Sequence, residues 1–443
     1  MFLSSSLLIG ILYIIAFPPH IRITWDEEIH YVRAIESSFA RTVSIGNSVK
    51  MFSNTLPILY LDINLYDKEV RANHISEINS EHNNSVVHRY PRKYSNVYNY
   101  IGYIPAGLMI FIGRSLAIPT DITFIFGRLG IHIVYTILIY FAIRRLTSGK
   151  YIMVVIAMFP TVFFQSVTYN CDYWVIAFLM LGYAYFFHEI QNPKNLIEKK
   201  NLLIMVSSFV LGLGPKAIYF PLMFVLYFLN EKKFKTKIEY KKYIVTITIL
   251  LFIVVASFMI PFIINKGGTG DLRGGSDISP VGQVKFILNK PFTYANILLN
   301  HLKGYLNIFT THNYTTSFAY LGDTSFYYLI WILLGFVILT DKNKADIFSS
   351  NIQFKIIMSL LLFVTSTLII TALYIDFNAV GTYNIHGVQG RYLLPMLFPF
   401  LFVLGSSKIE NNMNKSFYSV IVFGIMSFVL LNGIWKLCIS KYI

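Results

Sequence analysis

The sequence has few charged residues and almost no cysteine. Of its 443 residues, 13% are charged and 55% are hydrophobic, and the mean hydropathy is +0.57. Soluble proteins carry about 25% charged residues, so this composition excludes a soluble globular protein of this size. The two cysteines, Cys171 and Cys438, lack the spacing of metal ligands, and we interpret them as packing residues at the ends of apolar stretches.

Apolar stretches recur along almost the whole chain, most of them long enough to cross a ~30 Å hydrocarbon core as helices. They predict an all-α polytopic membrane protein forming a single integral-membrane domain over residues 1–443. The first stretch, 2–17, has no basic region before it and no small-residue cleavage site after it, so we interpret it as a retained span. The candidate spans are 3–17, 121–143, 151–168, 173–189, 201–213, 217–230, 243–264, 326–340, 355–375, 392–405 and 417–437.

Basic residues in the short loops predict the topology. The net charge of +15 would suggest nucleic acid as a partner of a soluble protein, but here it is typical of cytoplasmic loops, most clearly the lysine-rich run 232–242. With the N-terminus inside, all such loops fall on the cytoplasmic side only if the apolar segment 98–118 does not cross. Its glycines and Pro105 favour a helix in the outer interface. We therefore predict about eleven spans and two large external loops, 18–120 with interfacial helices and 265–325.

Three acidic residues on the predicted outer face are candidates for catalysis. Asp26 and Glu27 follow the first span, and His30 comes one helical turn later. A carboxylate beside an imidazole is a plausible acid/base pair, but acids are also typical of helix N-termini. Asp172, at the outer end of another span, is either a functional acid or an ordinary helix N-terminal acid.

Three cations near the same face are candidates for anion binding. Lys216 occupies a short outer turn, against the inside-positive bias, which indicates either a bound anion such as a lipid phosphate or simple snorkelling. Arg391 follows Gly390 at the entrance of a span, and a guanidinium can bind phosphate oxygens in a bidentate manner. Arg128 lies within the outer half of a span, where a charged residue predicts a function.

Several motifs occur in the same order as in one bacterial family. They are Pro18-Pro19, Trp25-Asp26-Glu27 with His30, Tyr103-Ile104-Pro105, Arg128-Leu129, Pro160 with Gln165 and Asp172, Lys216 with Tyr219, Tyr320-Leu321-Gly322-Asp323-Thr324, and Gln389-Gly390-Arg391-Tyr392 with Pro395. The most specific element is 388–395. Over about residues 15–400 the chain resembles a family of uncharacterised predicted membrane proteins placed in the GT-C glycosyltransferase superfamily.

The resemblance implies an enzyme that transfers a sugar from a polyprenyl-phosphate carrier to a cell-envelope glycan or lipid acceptor. The reaction would occur on the outer face of the cytoplasmic membrane. The resemblance further implies that Asp26 or Glu27 is the catalytic or metal-organising acid and that Asp172 is a second acid. The implied substrate-binding residues are His30, Arg128, Lys216, Gln389, Arg391 and Tyr392. This chain has little soluble mass after its last span, so acceptor recognition is expected from the two long external loops.

The sequence is also consistent with other functions. Asp26 and Asp172 could coordinate a divalent metal ion, but no dense spacing of metal ligands supports this. A non-enzymatic transporter or flippase of lipid-linked glycans would distribute charges through the depth of the membrane. A polysaccharide polymerase or ligase would use the same lipid-linked substrate. The concentration of charges at outer helix ends favours the transferase over the transporter.

Overall fold

A computed structural model describes residues 1–38, 49–52, 64, 67–84, 87–90, 97–264, 275, 277–307, 314–341, 352–405, 409, 411 and 413–441. Helices dominate these residues. In chain order they are α1 Phe2–Ala16, α2 Glu27–Ser38, α3 Lys68–Asn84, α4 Val97–Tyr100, α5 Ile104–Ser115, α6 Thr120–Arg145, α7 Lys150–Ala157, α8 Pro160–Ser166, α9 Asp172–Gln191, α10 Lys199–Leu213, α11 Lys237–Ile264, α12 Pro280–Asn289, α13 Pro291–Tyr305, α14 Tyr327–Thr340, α15 Ile352–Phe377, α16 Leu394–Leu404 and α17 Lys415–Leu437.

Two kinds of element interrupt the α-helices of the described residues. One is a short antiparallel pair, β1 Val49–Phe52 and β2 Val87–Tyr90, in the first predicted external loop. The other is a set of 3-10 helices: Ile101–Tyr103, Ala217–Phe228, Glu231–Lys233, Ala319–Leu321, Gly390–Leu393 and Ile439–Lys441. The described residues are thus helical as predicted, with this two-stranded pair as the exception among them.

Within the described residues, five helices are long and apolar enough to cross a membrane. They are Thr120–Arg145, Asp172–Gln191, Lys237–Pro261, Ile352–Phe377 and Lys415–Lys441. Four shorter apolar helices accompany them: Phe2–Ala16, Ala217–Phe228, Tyr327–Thr340 and Gly390–Leu404. These helices confirm the prediction of a helical membrane protein, while the count of eleven spans stays a prediction.

Prolines alter two of the predicted spans. The stretch 151–168 is two helices, because α7 ends at Ala157 and Pro160 begins α8. Proline suits the first turn of a helix, where its missing N–H costs nothing, and disrupts a helix interior. The stretch 217–230 forms a 3-10 helix that contains Pro221, rather than a regular α-helix.

The segment 98–118 is divided into α4, a 3-10 turn and α5. The longest piece, α5, has 12 residues and is therefore roughly 18 Å long. The three pieces follow one another without a gap from Val97 to Ser115, so the length of α5 alone does not decide whether the segment crosses. That the segment does not cross stays a prediction.

Helix α9 lies at the centre of the helical core. In its most apolar window 83% of the residues are buried, against 22% in the window of α11. It packs against α6, α10 and α16. Gly212 of α10 permits this close approach, since a Cβ there would lie 2.9 Å from the Cβ of Phe178. The first residue of this central helix is Asp172, so the core itself positions this carboxylate.

Candidate active site

Asp172 is the centre of a cluster of charged side chains at the start of α9. Its carboxylate pairs with Lys216 Nζ, lies 3.4 Å from Arg391 Nη1, and accepts a hydrogen bond of 3.1 Å from Gln165 Nε2. The Asp172 backbone N–H donates to Asn170 Oδ1 at 2.8 Å, which fixes the first turn of the helix. One buried carboxylate therefore holds together side chains that are far apart in the sequence.

Asp26 approaches the same cluster from the N-terminal side. Its Oδ2 lies 3.5 Å from Arg391 Nη2. Its backbone has a positive φ of 56°, and its carbonyl accepts hydrogen bonds from the Ile29 and His30 N–H groups, so it forms the start of α2. The Asp26 side chain is 31% exposed, against 11% for Asp172. Of these two acids, Asp26 is the one that a substrate in solution could reach more readily.

Arg391 joins the two acids and retains hydrogen-bonding capacity. Its Nε is buried and has no hydrogen-bond partner among the described residues. Its contacts to the carboxylates, 3.4 and 3.5 Å, are longer than the usual 2.7–3.2 Å of N–H···O bonds. The guanidinium carbon lies 4.6 Å from the ring centroid of Trp25 and 5.1 Å from that of Tyr392, so aromatic faces hold it in place.

Two tyrosine hydroxyls position the 3-10 turn that carries Arg391. Tyr219 donates to the Tyr392 carbonyl at 2.9 Å, and Tyr305 donates to the Gln389 carbonyl at 3.3 Å. Lys216 Nζ lies 4.9 Å from the centre of the Tyr392 ring. Although burial lowers the pKa of Lys216, the neighbouring Asp172 carboxylate outweighs this effect and raises the pKa, so Lys216 is a cation.

Glu27 and Arg128 form a separate ion pair in the interior. Glu27 Oε1 accepts a 3.1 Å hydrogen bond from Arg128 Nη2, and the two side chains are 0% and 1% exposed. Glu27 also accepts from the Ile23 and Tyr169 N–H groups, at 3.1 and 3.3 Å. Burial raises the pKa of Glu27, an effect that the Arg128 charge opposes.

Arg128 has further partners in the chain that leads to Asp26. Its Nη1 donates to the Pro18 carbonyl at 3.3 Å and its Nη2 to the His20 carbonyl at 3.0 Å. These contacts hold the connection between α1 and α2. Glu27 and Arg128 therefore shape the loop that presents Asp26.

His30 lies at the edge of the cluster with two residues that sequence reasoning did not assign to the site. Its Nδ1 is 2.7 Å from Tyr103 Oη, which also accepts a 3.1 Å hydrogen bond from Arg33 Nη1. Burial and the Arg33 charge lower the pKa of His30 well below its usual value, so the imidazole is neutral near pH 7. Arg33 follows His30 by three residues on α2. Residues at this spacing are neighbours on a helix, so the sequence could have placed Arg33 beside His30.

Comparison with known proteins identifies the family. A family profile described as "Predicted membrane protein (DUF2142)" matches residues 7–399, which is most of the chain. The chain belongs to the DUF2142 family. No curated relative and no solved structure matches the chain. The DUF2142 match agrees with the helical membrane fold and with the extent of the resemblance found in the sequence.

The two acids near the start of α9 in this DUF2142 chain, Asp26 and Asp172, do not form a suitable metal site. Among the described residues, no three His, Cys, Asp or Glu side chains converge as metal ligands. Both Asp172 and Asp26 face cations, and Asp172 has Lys216 and Arg391 on its two oxygens. The donor set therefore does not fit a divalent ion, and we derive no step through one.

A second charged cluster of this DUF2142 chain lies near the other end of α9 and was not predicted. Glu189 pairs with Arg145 at 3.1 Å and with Lys233 at 2.8 Å. At 1.5 Å per residue, Glu189 is roughly 25 Å from Asp172 along the helix. The sequence feature that could have predicted this cluster is an acidic residue at the end of an apolar run, between two basic loops. Charges thus gather near the two ends of α9, and the residues 173–188 between them contain no Asp, Glu, Lys or Arg.

Proposed function

We propose that the protein is a GT-C-type glycosyltransferase of the cytoplasmic membrane, with its active site on the external face. It would move a sugar from a polyprenyl-phosphate donor to a glycan or lipid acceptor of the cell envelope. One observation carries this proposal. Two acids and two cations from distant parts of the chain, Asp26, Asp172, Lys216 and Arg391, meet at the start of the central helix.

Arg391 and Lys216 are suited to bind the carrier phosphate. The Arg391 Nε is a buried donor without a hydrogen-bond partner among the described residues, and its two carboxylate contacts are long. A phosphate, with up to two negative charges, can compete for such donors and can accept two parallel hydrogen bonds from a guanidinium. Asp172 would act as a positioning residue that keeps both cations in place when the phosphate is absent.

Asp26 is suited to act as the general base. Its carboxylate is partly exposed and lies beside Arg391, where the donor phosphate would bind. In the transfer, an acceptor hydroxyl oxygen forms a bond to the anomeric carbon and the bond from that carbon to the phosphate oxygen breaks. The hydroxyl proton passes to Asp26, and the electron pair leaves with the phosphate, whose charge Arg391 and Lys216 stabilise.

The buried Glu27–Arg128 pair supports this arrangement indirectly. Neither side chain is exposed, and Arg128 reaches the carbonyls of Pro18 and His20. We assign the pair a positioning role, in which it sets the course of the chain before Asp26. This assignment makes Asp26 a stronger candidate than Glu27 for the catalytic acid.

The distribution of charge along α9 favours a transferase over a transporter. A flippase pathway requires polar or charged groups at mid-membrane depth to carry a lipid headgroup across. The charged residues of α9 instead lie near its ends, and 173–188 contains none. A site at one end of the helix suits a reaction at the membrane surface.

A transfer assay tests the proposal. The protein, reconstituted in lipid nanodiscs, is mixed with polyprenyl-phosphate sugars labelled in the sugar and with cell-envelope membrane as the acceptor source. The proposal expects release of polyprenyl phosphate together with movement of the label into acceptor. It also expects binding of polyprenyl phosphate, measured by native mass spectrometry, but not of polyprenol. Equal binding of the two lipids and no transfer from any donor would refute it.

A further inference from the structure

A pocket of about 450 Å³ lies directly beside the charged cluster. The helix α13 forms one wall and the chain from 383 to 390 forms another. The lining residues are Asn300, His301, Gly304, Tyr305, Tyr314, Tyr383, Asn384, Ile385, Val388 and Gly390. This volume falls within the ~300–1,000 Å³ that is typical of sites for small organic ligands.

Two contacts connect the pocket to the proposed catalytic residues. Gly390 precedes Arg391 in the chain, and Tyr305 donates a hydrogen bond of 3.3 Å to the Gln389 carbonyl. The Tyr314 ring lies 6.3 Å from the ring of Trp25, which itself packs against Arg391 at 4.6 Å. A molecule in the pocket would therefore lie next to the place proposed for the carrier phosphate.

The described residues that line the pocket are mostly polar but uncharged. Among the described residues, the lining contains three tyrosines, two asparagines and a histidine, and no Asp, Glu, Lys or Arg. The Nε2 atom of His301 is buried and has no hydrogen-bond partner among the described residues. Burial lowers the pKa of His301, so near pH 7 its neutral imidazole provides one donor and one acceptor.

These groups match the chemistry of a sugar without charge. Amide, imidazole and phenol groups can each donate and accept, as is needed to recognise hydroxyl groups that do both. Tyrosine rings offer flat apolar faces to the C–H surface of a pyranose, together with a polar tip. A charged ligand would instead require an opposite charge in the lining, and a lipid tail would require a mostly aliphatic wall.

The geometry points to a saccharide subsite in this pocket, selective for uncharged sugars. This inference rests on the proposed function, because it places the sugar beside the site of transfer. The subsite would hold either the donor sugar or the acceptor sugar, and these share the same chemistry. Two exposed lining residues, Tyr383 and Asn384, and the face formed by Asn300 and His301 would make the contacts.

The test is a binding measurement that needs no donor lipid. Saturation-transfer NMR is performed on the full chain in nanodiscs prepared without sugar detergents, using methyl glycosides of glucose, galactose, mannose, rhamnose and N-acetylglucosamine. Methyl glucuronide is the charged comparator. We expect at least one uncharged glycoside to bind and the glucuronide to bind more weakly.

Substitutions of exposed lining residues test whether the glycoside binds in this pocket. Tyr383→Ala and Asn384→Ala are each expected to weaken the glycoside affinity by about tenfold, as for a lost contact of ~1.4 kcal/mol. Tyr328→Ala is the matched control, because Tyr328 is a tyrosine 61% exposed that does not line the pocket. Absence of binding by every glycoside, stronger binding of the glucuronide, or equal losses in the control would overturn the inference.

Addition of polyprenyl-phosphate sugar separates the two sources of the saccharide. Displacement of the bound glycoside would assign the pocket to the donor sugar, and retention would assign it to the acceptor. Failure of the proposed function would look different. In that case glycosides would bind with the expected variant effects, while polyprenyl phosphate would bind no better than polyprenol.

Discussion

Asp26 and Glu27 are neighbours in the sequence, yet Asp26 lies 3.5 Å from Arg391 and is 31% exposed, whereas Glu27 is fully buried against Arg128. Their partners explain the difference. Glu27 accepts hydrogen bonds in the interior from Arg128 and from two backbone N–H groups, whereas Asp26 precedes it at the turn that opens α2, with a φ of 56°. Two adjacent acids thereby gain different surroundings, and we assign them different roles.

The first prediction concerns the buried pair. Arg128→Met removes the guanidinium while keeping much of its volume, and it leaves the Glu27 carboxylate buried without its cation. We expect a loss of about 3–5 kcal/mol in the free energy of unfolding, the usual cost of breaking a buried ion pair. The measurement is denaturant or thermal unfolding of the purified protein. Glu28→Gln, a change of the next acid in the chain, is the control.

The double variant Glu27→Gln, Arg128→Met completes this experiment. Removing both charges leaves no unpaired ion, so part of the lost stability should return. If Arg128→Met were as stable as the wild type, or if the double variant were no better than the sum of the single variants, the assigned role would be wrong.

The second prediction concerns pH and His30. Its pKa is lowered in the folded protein, so the unfolded chain takes up a proton at a higher pH than the folded chain does. Stability from the neutral imidazole is therefore present above the unfolded pKa of about 6.5, and it is lost as the pH falls toward the folded value. The unfolding temperature of His30→Gln should consequently fall less than that of the wild type between about pH 7.5 and pH 5.

His386→Gln is the control for that measurement, because the His386 side chain is exposed. It should follow the wild-type pH dependence closely. Identical pH dependences for His30→Gln and the wild type would show that the imidazole does not titrate differently on folding.

The third prediction concerns the carrier phosphate. Lys216→Ala and Arg391→Ala should each weaken the binding of polyprenyl phosphate by about 1.5–3 kcal/mol, as expected for a charge-assisted hydrogen bond. Native mass spectrometry in nanodiscs provides the affinity. Lys303→Ala, which removes an exposed cation of the other predicted external loop, should leave it unchanged. Wild-type affinity in the Lys216→Ala, Arg391→Ala double variant would exclude a phosphate site here.

The fourth prediction concerns topology. A cysteine at Lys237 should react with a membrane-impermeant thiol reagent only after the membrane is opened, whereas a cysteine at Tyr383 should react from outside. The native Cys171 and Cys438 are buried and should contribute little background. Efficient external labelling at Lys237 would reverse the assignment of the outer face and move the charged cluster to the cytoplasmic side.

The sequence predicts more of the membrane fold than of the fine geometry. Long apolar runs predict α6, α9, α11, α15 and α17, since burial in lipid depends on length and hydropathy. It does not predict the break between α7 and α8 at Pro160, because a proline in an apolar run can either kink a helix or begin one.

For the candidate site too, the sequence predicts the residues but not their geometry. The order of the motifs predicts Asp26, Asp172, Lys216 and Arg391, and the fold brings these four together. The sequence could not separate Asp26 from Glu27, because the burial of Glu27 depends on long-range contacts, to Arg128 and to the Tyr169 N–H group, that only the fold brings together. Nor could it predict the pocket, whose walls come from α13 and from a loop some 80 residues later in the chain.

The central claim is that Asp26 is the base of a sugar transfer, and Asp26→Asn tests it most directly. Asparagine keeps the size, tolerates a positive φ and begins a helix about as well, but it cannot take up the acceptor proton. The measurement is the initial rate of polyprenyl phosphate release from polyprenyl-phosphate sugar, with polyprenyl phosphate binding measured on the same samples. We predict unchanged lipid binding and a rate lower by at least about 100-fold, the usual scale for loss of a general base. A full rate in Asp26→Asn would contradict the account.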